Sequence, residues 1–102
     1  MASSFVQEKI LSKKVVIFMK SQCPFCKLAK QVLQKYVGTA IKKSEYEEIV
    51  LDNNPDANKI QDYLKEITGS RSVPRVFIHG KFVGGGEDIE KLDKSNQLAH
   101  LF

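Results

Sequence analysis

Five consecutive apolar residues, Val15-Val16-Ile17-Phe18-Met19, constrain this chain more than any other stretch. A strand with one wet face alternates apolar and polar residues, whereas an unbroken β-branched and aromatic run reads as a central strand buried on both faces. Four residues further on, Cys23-Pro24-Phe25-Cys26 opens a helical pattern in which Phe25, Leu28, Ala29, Val32, Leu33 and Tyr36 recur at helical spacing. Pro24 suits the first turn of that helix, where its missing N–H is not needed. Strand, sharp turn and helix form the first half of a βαβ unit.

The remaining elements follow from similar signals. Ser3-Ser4 offers an N-cap for an opening helix with a stripe of Phe5, Val6, Ile10 and Leu11. Tyr46 to Leu51 reads as a second strand, and Asp52-Asn53-Asn54-Pro55 as a turn into a helix carrying Ile60, Tyr63, Leu64 and Ile67, ended by Gly69. Arg75 to Ile78 and Lys81 to Val83 are short strands joined across His79-Gly80. After Gly84-Gly85-Gly86, the acidic pair Glu87-Asp88 begins a last amphipathic helix with Ile89 and Leu92 inside, and Leu98, Leu101 and Phe102 dock a terminal helix on the core. The expected order is αβαβαββαα, an α/β fold with a four-stranded mixed sheet flanked by helices on both faces. With 102 residues the chain suits one domain, residues 1–102, with a core large enough to stand without disulfides.

Charge is unevenly spread. Residues 1–43 hold nine lysines and one acid, Glu8, whereas residues 44–102 hold seven bases and eleven acids. The cysteine pair therefore lies in the basic half, where lysines attract an anionic substrate or are simply solvated. Two arginines and no interleaving of aromatic with basic residues argue against nucleic-acid binding. The apolar stretches fall far short of the roughly 20 residues of a spanning helix, so no membrane association is expected. Lys9, Lys13 and Lys14 also break up any signal-peptide core.

Both cysteines of the chain sit in the Cys23–Cys26 motif. A crosslink closing so short a loop removes little chain entropy, so the pair is read as chemistry in a reducing compartment, and the expected location is cytoplasmic. A free thiol is only about 3% ionised at pH 7, and the thiolate is the nucleophile. At the N-cap of the following helix, unpaired N–H groups and the helix dipole favour negative charge on Cys23, and Lys20 and Lys27 add positive charge nearby. Cys26, one turn deeper, is the expected resolving nucleophile. Half a zinc site is the rival reading, but no second Cys pair exists and His79 and His100 lie in unrelated segments, so no metal is expected.

Beyond this pattern, Cys23-Pro24-Phe25-Cys26 with Lys20 before it, Ile60-Gln61-Asp62-Tyr63-Leu64, Thr68 to Ile78 including Val73-Pro74, and Gly84-Gly85-Gly86-Glu87-Asp88 closely resemble the dithiol glutaredoxins, or thioltransferases. The resemblance implies a thioredoxin-like fold and a glutathione-dependent thiol-disulfide oxidoreductase that reduces protein disulfides and glutathione mixed disulfides. Cys23 is the implied nucleophile and Cys26 the resolving cysteine. It further implies a cis bond at Val73-Pro74, with the Val73 backbone pairing with glutathione. Lys20 and Gln61 would hold the glycine carboxylate, with Arg71 at the rim and Phe25 beside the thiol. The family often has tyrosine at the Phe25 position. Gly86, Glu87 and Asp88 would bind the γ-glutamyl end, the backbone N–H groups taking the carboxylate and the Asp88 side chain the amine. Gln61 falls on the helix face away from Ile60 and Leu64, so an exposed helix residue is its alternative role; that of Asp88 is a helix cap. Gly86 stands where many relatives carry a further cysteine. Glutathionylated or disulfide-containing proteins are the implied partners of a monomer. Two other readings are a carrier of a [2Fe-2S] cluster, against which Pro24 argues, and thioredoxin itself, which would lack the Lys20 and Gly84 to Asp88 pattern.

Overall fold

The computed structural model describes all 102 residues. Four strands, β1 (Val15–Met19), β2 (Tyr46–Val50), β3 (Arg75–Ile78) and β4 (Lys81–Gly84), form one sheet in the order β2-β1-β3-β4. β1 pairs parallel with β2 and antiparallel with β3, and β3 pairs antiparallel with β4. Helices α1 (Ala2–Ser12), α2 (Pro24–Gln34), α3 (Ala57–Thr68) and α4 (Gly86–Lys94) cover the two faces, and single 3-10 turns lie at Lys43–Glu45 and Leu98–Leu101. This is the thioredoxin-like arrangement.

Every residue of β1 is buried, as a strand with layers on both faces requires. Val15, Ile17 and Met19 face a core shared with Cys26, Ala29 and Leu33 of α2, Ile89 of α4 and Leu98. Val16 and Phe18 face a second core with Val6 and Ile10 of α1, Ile60 and Leu64 of α3, and Phe77. Phe18 meets Phe77 edge to face, with ring centroids 5.8 Å apart. Truncating such a side chain costs about 3–5 kcal/mol, so β1 is the anchor from which the Cys23 turn is held.

Three expectations are corrected. The first helix begins at Ala2 with Met1 as its N-cap, so Ser3 and Ser4 lie inside it; Val6 and Ile10, four residues apart, form its buried line, and Leu11, about 100° around from Ile10, is left outside, 74% exposed. Ile67 likewise stands at the margin of the α3 stripe rather than in the core. The terminal helix is only the 3-10 turn, since Asn96 takes a left-handed φ of 61° that breaks the helix and the few residues beyond it suffice for one turn. The β3–β4 turn is as expected: His79 and Gly80 both have positive φ, 52° and 77°, the geometry of a two-residue hairpin turn.

Candidate active site

The loop Lys20-Ser21-Gln22 leads from the C-terminal end of β1 into α2, and Cys23 is the N-cap of that helix. Its Sγ accepts the Cys26 N–H at 3.2 Å and its carbonyl accepts the Lys27 N–H at 3.0 Å. A sulfur thus occupies the place where a capping oxygen would satisfy a free helix N–H. Cys23 is partly exposed, whereas Cys26 is fully buried in the α2–α4 core. Burial, and next the hydrogen bond with Cys23, push the Cys26 thiol up to about 12. The two sulfurs therefore differ in kind, one accessible and capped by N–H, the other held as a thiol.

Val73-Pro74 is a cis peptide bond, and the Val73 carbonyl oxygen lies 3.7 Å from Cys23 Sγ, accepting its S–H. The start of β3 is thereby placed beside the nucleophile. From there a cleft of about 210 Å³ runs between Phe25, Val73 and Pro74 on one side and Gly86, Glu87 and Asp88 on the other. Phe25, half exposed, presents its ring at the mouth.

The α4 wall of the cleft depends on glycine. A Cβ on Gly86 would come within 2.5 Å of the Phe25 carbonyl oxygen, so only glycine lets the N-termini of α2 and α4 approach this closely. Asp88, in the first turn of α4, reaches back so that its Oδ2 accepts the Gly85 N–H at 2.9 Å, one half of a capping box. Its alternative role as a helix cap is therefore present. Its Oδ1 makes no bond within the chain.

Of the sequence-derived site residues, Cys23, Phe25, Val73, Pro74, Gly86, Glu87 and Asp88 converge around this cleft, with Cys26 beneath. Lys20, Gln61 and Arg71 lie outside its lining. The alternative role of Gln61 as an exposed helix residue is corrected: it is buried, and its Nε2 donates to the Arg71 carbonyl at 2.9 Å while its Oε1 has no partner in the chain. That expectation misjudged the wheel: Gln61 precedes Leu64 by three residues, about 60° around the helix and so at the edge of the buried stripe, where its Nε2 bond ties it to the returning 69–73 segment. The Arg71 guanidinium is engaged by Asp62 at 3.3 Å.

Two features escaped the sequence reading. Arg75 lines the cleft beside Ser72, donating through Nε to the Pro74 carbonyl at 3.0 Å with its guanidinium over the Phe82 ring. Asp52, just past β2, accepts both the N–H and the hydroxyl of Ser21. The signal for Asp52 was available, because a parallel β1–β2 pair brings the ends of both strands together; the signal for Arg75 was not.

The Glutaredoxin family model matches residues 15–83. The chain belongs to the glutaredoxin family. It is 41% identical over 98 residues to glutaredoxin-1 of Sus scrofa, covering 96% of this chain and 90% of that one. Among solved structures, oxidized glutaredoxin 2 from Chlamydomonas reinhardtii superposes with a TM-score of 0.87 at 38% identity, covering 98% of this chain and 89% of that one. A buckwheat glutaredoxin-glutathione complex gives a TM-score of 0.87 at 31% identity, covering 99% and 86%. As in other glutaredoxins, the function is redox chemistry.

Proposed function

We propose that the protein is a glutathione-dependent thiol-disulfide oxidoreductase, a thioltransferase, and that glutathionylated proteins are its principal substrates. The observation that carries this reading is the asymmetry of the two cysteines: Cys23 is reachable and capped by the Cys26 N–H, while burial holds Cys26 as a thiol. The glutathione-bound buckwheat relative supports glutathione as the co-substrate.

In the first step the Cys23 thiolate attacks the glutathione sulfur of a mixed disulfide. The protein–glutathione S–S bond breaks, the protein leaves as a thiolate that takes a proton from water, and a Cys23–glutathione disulfide forms. A second glutathione thiolate then attacks the bound glutathione sulfur, releasing oxidised glutathione and restoring Cys23 as thiolate. The net exchange converts one protein–glutathione disulfide and one glutathione thiol into one protein thiol and one glutathione disulfide. Neither step needs Cys26. On protein disulfides, Cys26 would resolve the mixed disulfide, after losing a proton that its environment holds firmly.

The cleft residues take the roles implied by the family pattern. Val73 pairs its backbone with the cysteine residue of glutathione in the manner of strand addition, and Phe25 and Pro74 flank the disulfide. The first-turn N–H groups at Gly86 and Glu87 face the γ-glutamyl carboxylate and Asp88 its amine. Lys20 supplies positive charge for the glycine carboxylate, with Gln61 and Arg71 behind it. The proposal extends to a monomer working in the cytoplasm. The deciding experiment couples the protein in turn to glutathione with glutathione reductase and to thioredoxin reductase, with a glutathionylated peptide as substrate. Turnover in the first system alone is expected, and turnover only in the second would overturn the reading.

A further inference from the structure

The end of the sheet opposite Cys23 carries features that the redox site leaves unused. β4 is an edge strand, and none of the turn, loop or side-chain hydrogen bonds of the chain reaches Lys81–Gly84. Ile78 and Lys81 flank the two-residue turn and exchange hydrogen bonds, so the next residue, Phe82, points its N–H and C=O away from β3 and out of the sheet. The edge thus offers a donor and an acceptor to an added strand.

A groove of about 460 Å³ follows this edge, walled by Phe82 and Val83 of β4 and by Leu101 of the C-terminal turn. At His79 it meets a second groove of about 400 Å³, between the end of α1 and the hairpin turn, lined by Leu11, Lys13 and Lys14. The junction is fixed by the backbone, since the His79 N–H donates to the Lys14 carbonyl at 2.7 Å. Five lysines, Lys13, Lys14, Lys42, Lys43 and Lys81, surround this end. The acids beside them are Glu45, whose carboxylate already takes the Lys42 N–H at 2.8 Å and the Lys14 ammonium at 3.4 Å, and the terminal carboxyl group of Phe102, an oxygen of which lies 2.9 Å from His79 Nε2. An apolar trough therefore runs into one in which Lys13 and Lys81 have no ion-pair partner, along an open strand edge.

We propose that this surface docks an extended acidic peptide segment of a partner protein, which adds a short strand to β4, seats an apolar side chain between Val83 and Leu101, and sets carboxylates against Lys81 and Lys13. Strand addition supplies backbone hydrogen bonds, and the flanking troughs read alternate side chains. Charge excludes a second copy of this chain, because edge-to-edge pairing would bring Lys81 and its basic surroundings against themselves. Concavity argues against a flat anionic bilayer. The competing account is that Lys81 and the shortness of β4 merely guard the edge against pairing. The surface lies roughly 15 Å from Cys23, one strand length away, so a docked partner leaves the thiol free.

The test is an NMR titration of the isotope-labelled, full-length protein with a decapeptide alternating glutamate with valine and leucine. Saturable shifts are expected at Lys13, Lys14 and His79 to Val83, with slowed hydrogen exchange at the Phe82 amide and no change at Cys23 or Val73. The double variant Lys13→Glu with Lys81→Glu is expected to weaken binding by about tenfold or more, with the rest of its spectrum confirming the fold. Equal binding of a peptide with lysine in place of glutamate, or shifts spread evenly over Lys20, Lys27 and Lys30, would overturn the proposal. So would binding of phosphatidylserine vesicles at this surface without binding of the peptide.

Discussion

Asp52 grips Ser21 twice: its Oδ1 accepts the Ser21 N–H at 2.9 Å and its Oδ2 accepts the Ser21 hydroxyl. The end of β2 thereby fixes the loop that carries Lys20 and delivers Cys23 to the start of α2. The hydroxyl first, then the backbone N–H, hold the Asp52 carboxyl below its usual range, with Lys20 contributing. A depressed folded pKa means that the tether is complete above the unfolded carboxylate value of about 3.9 and is lost only as pH falls through the lower folded value. The grip is therefore intact at any pH where the enzyme is assayed. Replacing Asp52 with alanine should lower kcat/KM for glutathione-dependent reduction by roughly threefold to tenfold through loop misplacement, with little change in thermal midpoint. Ser21→Ala, which keeps the backbone bond, should cost less. Unchanged kinetics in Asp52→Ala would remove the tether from catalysis.

The Asp52 grip also marks where sequence reading stops. β1, the start of α2 and the His79-Gly80 turn were legible because each is dictated locally, by an unbroken apolar run, a proline at the first helical position and a tight-turn dipeptide. Cys23 as a cap followed from those same local rules. Gln61 was misplaced although periodicity puts it about 60° from Leu64, at the border of the buried stripe; its polar partner, the Arg71 carbonyl of the returning segment, is what no helical pattern shows. The closeness of Gly86 to the Phe25 carbonyl is likewise a contact between residues sixty-one positions apart. No single-segment pattern encodes it.

The unequal cysteines separate the two routes of reduction. Cys23→Ser should abolish turnover of glutathionylated peptides, whereas Cys26→Ser should retain much of it and lose reduction of intramolecular protein disulfides. Steady-state assays on the two substrate types make the comparison. Equal loss in both variants on the glutathionylated peptide would sink the assignment of roles.

The buried Cys26 thiol has a consequence for stability. Its folded pKa is raised to about 12, against an ordinary cysteine value near 8.5 in the unfolded chain. The folded state therefore binds the proton more tightly, and its advantage is full below about pH 8.5 and is lost as pH rises toward the folded value. Denaturant unfolding of the reduced protein should show stability falling between about pH 8.5 and 11, and Cys26→Ala should flatten that part of the profile. In the native state at pH 8, iodoacetamide should label Cys23 and leave Cys26 untouched. Labelling of both at similar rates would contradict the burial argument.

Gly86 is the narrowest point between α2 and α4. Gly86→Ala places a methyl group within 2.5 Å of the Phe25 carbonyl oxygen, a backbone atom that can yield only if α4 moves. Overpacking of this kind typically costs about 1–3 kcal/mol. Urea unfolding should report a loss in that range, together with a raised KM for glutathione as the cleft wall shifts. Cysteine at this position should behave like alanine in stability.

Asp88 carries two roles that a single substitution confounds and a pair of substitutions separates. As a cap it needs only an acceptor for the Gly85 N–H, which the amide oxygen of asparagine supplies. As a partner for the glutathione amine it needs negative charge, which asparagine lacks. Asp88→Asn should therefore keep the unfolding midpoint close to that of the parent while raising the KM for glutathione about tenfold with a smaller change in kcat. Asp88→Ala should raise KM similarly and also lower stability by about 1 kcal/mol through loss of the cap. If asparagine leaves KM unchanged while alanine lowers the midpoint, Asp88 is a cap alone, and the amine of glutathione must be held elsewhere along the first turn of α4.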